Sequence, residues 1–132
     1  MIIKKVNRYY CEFCKKANCS APSISKHEKS CTLNPDRFCR MCAMFDLEQP
    51  KIEDLLAVLP KPVIQENEFG GWIDPESAQK AVPELRTVAN NCPACIMAAI
   101  RQKGFPVRAI ISFNFTEECK QWWADWNVRQ VR

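Results

Sequence analysis

Apolar residues recur at helical spacing through the middle of the chain and predict two helices there, and end signals predict a third helix after them. The first spans residues 51–59, where leucine and isoleucine side chains share one face behind a proline at the helix start. The second spans residues 75–90, but Pro83 interrupts its apolar repeat, so a kink or a break is expected near Val82. The third begins at Pro93 and ends near Lys103, before Gly104 and Pro106.

The flanking segments predict further short elements. Residues 107–115 alternate apolar with mostly polar positions, which predicts a β-strand. A last helix is expected from Thr116, with carboxylates in its first turn, where the helix dipole favours negative charge. Gly70–Gly71 and Trp72 lie in an acidic stretch that we interpret as a linker, and residues 20–29 predict a short helix capped by its first serine.

Seven of the nine cysteines and the only histidine fall into two sets with the spacing of metal ligands. The first set, C-x2-C-x12-H-x3-C, comprises Cys11, Cys14, His27 and Cys31. The second joins two C-x2-C pairs across forty-nine residues and comprises Cys39, Cys42, Cys92 and Cys95. Thiolate and imidazole are the ligands that tetrahedral zinc prefers. The sequence therefore predicts two structural Zn²⁺ ions per chain.

The first set resembles the Cys-Cys-His-Cys variant of the ββα zinc finger, over about residues 9–31. Tyr9 and Ile24 stand where that family has an aromatic residue and a buried helix hydrophobe, whereas Asn18 replaces a large aromatic. The resemblance implies a hairpin and a helix that hold zinc between them. Cys19 remains an alternative ligand.

The second set resembles the treble-clef zinc site, in which two cysteines from the first turn of a helix complete a knuckle. Here that helix begins at Pro93, and its dipole favours thiolates in its first turn. The interval between the two pairs is longer than the hairpin of that fold. A helical insertion that contains the 51–59 and 75–90 helices accounts for the difference.

Two catalytic alternatives fit less well. Cys92-Pro93-Ala94-Cys95 looks like a thiol–disulfide redox motif, but it follows a predicted helix and leaves the other cysteine pair unexplained. A zinc deaminase needs H-x-E and P-C-x-x-C, whereas His27 and Glu28 are adjacent. Both ligand sets are already full, and no acid–base or nucleophile group stands out, so we expect no enzymatic activity.

Charge is unevenly distributed along the chain. Residues 1–42 have nine Lys/Arg against three Asp/Glu, a formal charge of +6, and residues 43–91 carry −5. Seven thiolates and two Zn²⁺ would reduce the chain's total from +4 to +1.

The predicted nucleic-acid-binding residues are Lys4, Lys5, Arg8, Lys15, Lys16, Lys26 and Lys29. The positions that would face bases in a finger are Ser20, Ser23 and Lys26, which are weak base readers, so a structural or nonspecific role is favoured.

An aromatic stripe at helical spacing near the C-terminus comprises Phe115, Cys119, Trp122 and Trp126. It predicts a helix that packs on the core, with Cys119 as a buried small hydrophobe. Trp123 is expected to be exposed and, with Arg129 and Arg132, forms a candidate partner-binding surface. A protein–protein interaction module is therefore the alternative to nucleic-acid binding.

The run from His27 to Cys42, the second cysteine pair and the Trp-rich helix together look similar to small uncharacterised zinc-finger-like proteins of bacteriophages. That resemblance implies a viral or bacterial cytoplasmic setting, for example as an inhibitor or regulator of a host factor or as a virion component. The start lacks an apolar leader and no apolar run approaches membrane length. We therefore expect a cytoplasmic protein in a reducing compartment, with no membrane partner and no small-molecule substrate.

These elements predict a small, zinc-stabilised α+β domain that is mostly α. Residues 1–37 form a zinc-finger-like N-terminal section. Residues 38–132 form a helical section that the four-cysteine site closes, with a C-terminal strand and the Trp-rich helix.

Overall fold

The computed structural model describes residues 1–130 and confirms a small α+β fold that is mostly helical. Six α-helices lie in this range: α1 (Ala21–Ser30), α2 (Arg40–Met44), α3 (Ile52–Val58), α4 (Glu76–Val88), α5 (Pro93–Lys103) and α6 (Phe115–Gln130). Two antiparallel hairpins accompany them: β1 (Tyr9–Tyr10) with β2 (Ala17–Asn18), and β3 (Ile64–Asn67) with β4 (Gly70–Ile73). None of these helices has the length and apolar character needed to cross a membrane.

The N-terminal section is a ββα unit, as the finger resemblance implies. Tyr9 pairs with Asn18 in the hairpin, and α1 contacts both strands. Ser20 caps α1 as predicted, because its hydroxyl accepts a hydrogen bond from the backbone N–H of Ser23 at 3.4 Å. Ile24 of α1 is buried. Asn18 is exposed, so the hairpin forms without the aromatic residue that the finger family has at this position.

Helix α5 lies at the centre of the core and contacts α3, α4 and α6. Its completely buried side chains are Cys95, Ile96, Ala98, Ala99 and Ile100. Leu55 of α3, Leu85 of α4 and Trp122 of α6 belong to the same apolar cluster. An ion pair between Arg86 and Glu118 joins α4 to α6 at the edge of this core.

Helix α4 runs unbroken through Pro83, so the chain does not break near Val82. The proline removes one backbone hydrogen bond, but its own side chain is exposed and meets no obstacle in the core. Val82 and Leu85, on either side of it, are both buried against the core. Packing of this apolar face holds the residues on both sides of Pro83 against the core.

The strand predicted for residues 107–115 is wrong. Its first three residues form a 3-10 turn, and further turns lead into α6. Ile110 and Phe113 are buried three positions apart, while Ile111 is 87% exposed, which is not the two-residue period of a strand. No strand in residues 1–130 pairs with this segment. Instead, the Gln79 side chain accepts a hydrogen bond from the backbone N–H of Ile111 at 2.9 Å.

The acidic stretch around Gly70–Gly71 is not a linker but the β3–β4 hairpin. At its turn, the Asn67 side chain accepts the backbone N–H of Phe69 at 2.8 Å, and Gly70 has a φ of +126°, which side chains disfavour. Every residue of the two strands except Ile73 is exposed. Because neither face is fully buried, the sequence lacks the alternation from which strands are predicted.

Hydrogen bonds from α5 join the finger to the helical section. The Arg101 guanidinium donates to Thr32 Oγ1 at 2.6 Å, and the Gln102 amide donates to the carbonyls of Thr32 (2.9 Å) and Asn34 (3.2 Å). The two sections are thus in direct contact. Their division at residue 37 stays a prediction.

Candidate metal centres

The first ligand set comes together between the hairpin and α1. A tight turn follows Cys11 and is closed by the hydrogen bond from the Lys15 N–H to the Cys11 carbonyl (3.0 Å). This turn, the knuckle, brings the Cys11 and Cys14 sulfurs to one side. Cys14 Sγ lies 3.1 Å from His27 Nε2, and the four ligand atoms all lie within 4.8 Å of one another. The two α1 ligands, His27 and Cys31, face the knuckle because residues four apart lie on the same side of a helix. We call this the first centre.

The ligands of the first centre differ in exposure. Cys11 and Cys31 are buried, whereas Cys14 and His27 are partly exposed. Burial raises the pKa of the Cys31 thiol to about 11, because a thiolate is poorly solvated there. A bound metal cation stabilises such a thiolate directly. The donor set and its burial therefore fit a metal ion.

The second ligand set lies within the helical core, and we call it the second centre. Each of its four cysteine residues is at most 1% exposed: Cys39, Cys42, Cys92 and Cys95. Cys39 Sγ lies 3.4 Å from Cys92 Sγ, and Cys42 Sγ lies 3.6 Å from Cys95 Sγ. A disulfide requires about 2.05 Å, whereas tetrahedral zinc at about 2.3 Å from each sulfur places neighbouring sulfurs about 3.8 Å apart. The spacing fits one shared metal ion.

Two helix starts position these sulfurs. Cys39 caps α2, with its sulfur accepting the Cys42 N–H at 3.4 Å, and Cys92 caps α5, with Cys95 in the first turn. Before Cys92, Asn90 and Asn91 both have positive φ values, which asparagine tolerates better than most residues. This double left-handed turn redirects the chain from α4 into the knuckle.

The approach of the two pairs bears on the redox alternative. Each short sulfur–sulfur distance joins one cysteine of the first pair to one of the second. A Cys92–Cys95 redox site would instead leave Cys39 and Cys42 without a role at the same point of the core. The arrangement favours one four-thiolate metal centre over a thiol–disulfide pair.

Contacts among the four thiols shift their pKa values in opposite directions. Hydrogen bonds from Cys42 and Cys92 lower the pKa of Cys39, and the bond to Cys39 raises the pKa of Cys92. Four thiolates at one buried point need cationic compensation. Burial alone would lower the pKa of the buried Arg37, but the charges of Cys95 and Cys39 raise it above its ordinary value; the sequence analysis did not identify this residue.

The two remaining cysteines lie outside both clusters. Cys19 is exposed, so the alternative of Cys19 as a ligand of the first centre finds no support in the geometry. Cys119 is only partly buried, which corrects its prediction as a fully buried residue. Both thiols are therefore suitable sites for control substitutions.

The predicted nucleic-acid-binding cations all lie on the surface: Lys4, Lys5, Arg8, Lys15, Lys16, Lys26 and Lys29. Within residues 1–130, no carboxylate lies within 4.0 Å of any of them. Arg8 packs over the Tyr10 ring at 5.9 Å, and the structure adds Arg40, whose guanidinium reaches the Lys26 carbonyl at 3.4 Å. The exposed charge of the finger is thus not neutralised by neighbouring side chains.

The two predicted partner-binding residues line different cavities. Trp123 is 51% exposed, as predicted, and borders a shallow cavity of about 560 Å³ beside Cys119. Arg129 borders another of about 430 Å³, with its guanidinium 5.4 Å from the centre of the Phe45 ring. Arg132 lies outside the described residues. The partner-binding role of Trp123 and Arg129 stays a prediction.

We expect native mass spectrometry of the intact chain to show two zinc ions. Cys14→Ser should remove one ion and leave the other, because the two clusters share no ligand. Acidification should release both, since protons compete with the metal for thiolate and imidazole. One zinc ion in the wild type, or loss of both ions from Cys14→Ser, would contradict two independent centres.

Comparisons with protein-family models, with curated proteins and with solved structures gave no match. The similarities to the Cys-Cys-His-Cys finger, to the treble clef and to phage proteins therefore rest on the chain's own residues. The ligand clusters are the observation from which a function has to be argued.

Proposed function

We propose that this chain is a non-enzymatic zinc module whose finger binds nucleic acid through the phosphate backbone. The observation that carries the proposal is the set of exposed cations that have no carboxylate within 4.0 Å in residues 1–130, on a finger whose ligands converge on one point. A metal-organised scaffold holds these cations on one small unit.

Zinc is the metal that this donor chemistry favours. Both centres offer only sulfur and imidazole nitrogen, which suit Zn²⁺ and exclude the oxygen-preferring Mg²⁺ and Ca²⁺. Four protein ligands in each centre are typical of structural zinc, since catalytic zinc keeps one position for water or substrate. Thiolates persist in a reducing compartment, so the proposal places the protein in a cytoplasm, that of the host if the chain is viral.

The local structure of α1 supports backbone contacts rather than base reading. Ser20 and Ser23 occupy two of the base-facing finger positions, but their hydroxyls bond each other at 3.1 Å as part of the helix cap. Lys26 is then the remaining polar group of the three, and it lacks the bidentate geometry that distinguishes bases. Phosphate contacts by lysine carry no sequence information.

Fluorescence anisotropy of the zinc-loaded protein with labelled DNA and RNA, single- and double-stranded, tests the proposal. We expect binding at low salt that weakens steeply toward physiological salt, with little dependence on sequence, because counterion release dominates such contacts. A dissociation constant of about 10⁻⁴ to 10⁻⁶ M at physiological salt is typical of nonspecific binding. Absence of binding at low salt would overturn it.

The β3–β4 hairpin favours a second candidate, a protein-interaction module. Its tip residue Phe69 is 89% exposed, and Ile64 and Trp72 are 65% and 49% exposed. Large exposed apolar side chains on a hairpin offer a surface for contact with another protein. Tryptophan fluorescence separates the candidates, since a protein partner on this hairpin should perturb Trp72 while nucleic acid on the finger should leave it unchanged.

A further inference from the structure

Two exposed tyrosines form the first strand of the finger hairpin. Tyr10 is 59% exposed and Tyr9 is 37% exposed, although aromatic side chains are a main source of buried apolar surface in proteins. Successive side chains of a strand point to opposite faces, so the hairpin presents one ring on each side. Within residues 1–130, neither ring is a metal ligand or a member of the apolar core cluster.

Tyr10 is the more accessible of the two rings. It pairs across the hairpin with Ala17, a small residue whose methyl group covers little of a neighbouring ring. The guanidinium of Arg8 lies over the Tyr10 ring, 5.9 Å from its centre. The ring therefore combines an adjacent cation with a large surface that is open to solvent.

A second cation lies across the hairpin from the same point. The Cys11 N–H donates to the Lys16 carbonyl at 2.8 Å, which places Lys16 opposite the residue that follows Tyr10. In residues 1–130, no carboxylate lies within 4.0 Å of the Lys16 ammonium or the Arg8 guanidinium. A phosphodiester strand on this hairpin would thus meet positive charge on both strands, with an aromatic ring beside it.

This combination of groups distinguishes between single strands and duplexes. A duplex keeps the faces of its bases within its own stack, whereas a single strand exposes them to aromatic side chains. Helix α1 adds no strong reader of base edges in a duplex groove, because the Ser20 and Ser23 hydroxyls bond each other at 3.1 Å. The finger surface therefore fits a single strand better than a duplex.

We propose that the Tyr10 ring stacks on an unpaired base, so that the finger binds single-stranded nucleic acid in preference to duplex. The proposal rests on nucleic-acid binding by the finger, as in the proposed function, and adds a contact to the base. Stacking is tolerant of sequence because every base has a π-face, which agrees with the weak base readers of α1. An unpaired base on a phosphodiester backbone is common to DNA and RNA.

Fluorescence anisotropy of the zinc-loaded full chain tests this with four labelled probes of equal length: oligothymidylate, oligouridylate, a DNA duplex and an abasic single strand. The wild type should bind the two single strands that carry bases more tightly than the duplex or the abasic strand. Tyr10→Leu should weaken binding to oligothymidylate about tenfold, as is typical for one lost stacking contact, and leave binding to the abasic strand unchanged. The slope of log affinity against log salt should also stay unchanged, because no phosphate contact is lost.

Two further variants are the controls. Tyr10→Phe keeps the ring and should bind like the wild type. Phe69→Leu removes a ring that is 89% exposed at the tip of the β3–β4 hairpin, outside the finger, and should also bind like the wild type. Native mass spectrometry should show two zinc ions in each variant, which separates a lost contact from a lost fold.

The outcomes separate the two proposals. A Tyr10→Leu variant that binds oligothymidylate as tightly as the wild type would overturn the stacking contact. Equal affinity of the wild type for abasic and base-containing strands would do the same, and this comparison does not depend on any variant folding. A wild type that binds none of the probes at low salt would instead refute the proposed function. The relative affinity for oligouridylate and oligothymidylate shows whether RNA or DNA is preferred, and stacking holds in either case.

Discussion

Replacing Cys42 or Cys95 with serine should release the second zinc ion and unfold the helical section. Both sulfurs lie within the apolar cluster that holds α3, α4 and α5 together. Loss of one ligand removes the metal and leaves three buried thiols without their cation. The metal also closes a loop of forty-nine residues between the two pairs. In chain-entropy terms, this closure stabilises the fold by about 4 kcal/mol. Zinc content and chemical unfolding followed by circular dichroism measure the effect.

Cys19→Ser and Cys119→Ser are the matched controls for that experiment. Each replaces the same atom, but neither cysteine belongs to a cluster. Cys19→Ser should change the free energy of unfolding by less than about 0.5 kcal/mol, as is usual for exposed positions. A loss from Cys19→Ser as large as that from Cys95→Ser would show that the ligands are wrongly assigned.

The combined substitution of Lys16, Lys26 and Lys29 with glutamine should abolish most nucleic-acid binding. These side chains are exposed, and none is paired with a carboxylate in the described part of the chain. If each contacts one phosphate, the slope of log affinity against log salt should fall by about 0.9 per lost contact on duplex DNA. The same anisotropy titration, repeated over a series of salt concentrations, measures both quantities.

A charge-matched control separates a local surface from the overall charge. Lys51, Lys61 and Lys80 are exposed and lie outside the finger, so their replacement by glutamine removes the same formal charge. This variant should bind nearly as well as the wild type. Equal losses in the two triple variants would contradict a binding surface on the finger, and an unaffected finger variant would favour the protein-interaction alternative.

The ligand sets could be predicted because residues that hold one metal ion follow characteristic spacings along the sequence. Two ligands that converge from one turn are three positions apart, and two on one helix face are about four positions apart. Cys11, Cys14, His27 and Cys31 obey both rules, and the structure gathers these four residues. Helices α3 and α4 were predictable because each buries one face on a shared core, and α5 was predictable from its proline start and glycine end.

The errors lie where burial does not follow a simple period. Ile110 and Phe113 reach the core from irregular turns, and Gln79 from another helix satisfies the backbone there. The β3–β4 strands bury almost nothing, so their residues carry no pattern. In the first segment, contacts with distant residues decided the structure. In the second, the strands lack the buried face from which a sequence pattern arises.

The sequence by itself determined the two ligand sets, the main helices and the concentration of positive charge in the finger. These depend on residue type and short spacing, which remain the same however the chain folds. Only the tertiary structure decided that the Cys39 and Cys92 sulfurs meet across fifty-three positions, that Trp123 and Arg129 line different cavities, and that Arg37 is buried. Such contacts join residues that are distant in sequence or turned to a particular side, and packing of the whole core selects them.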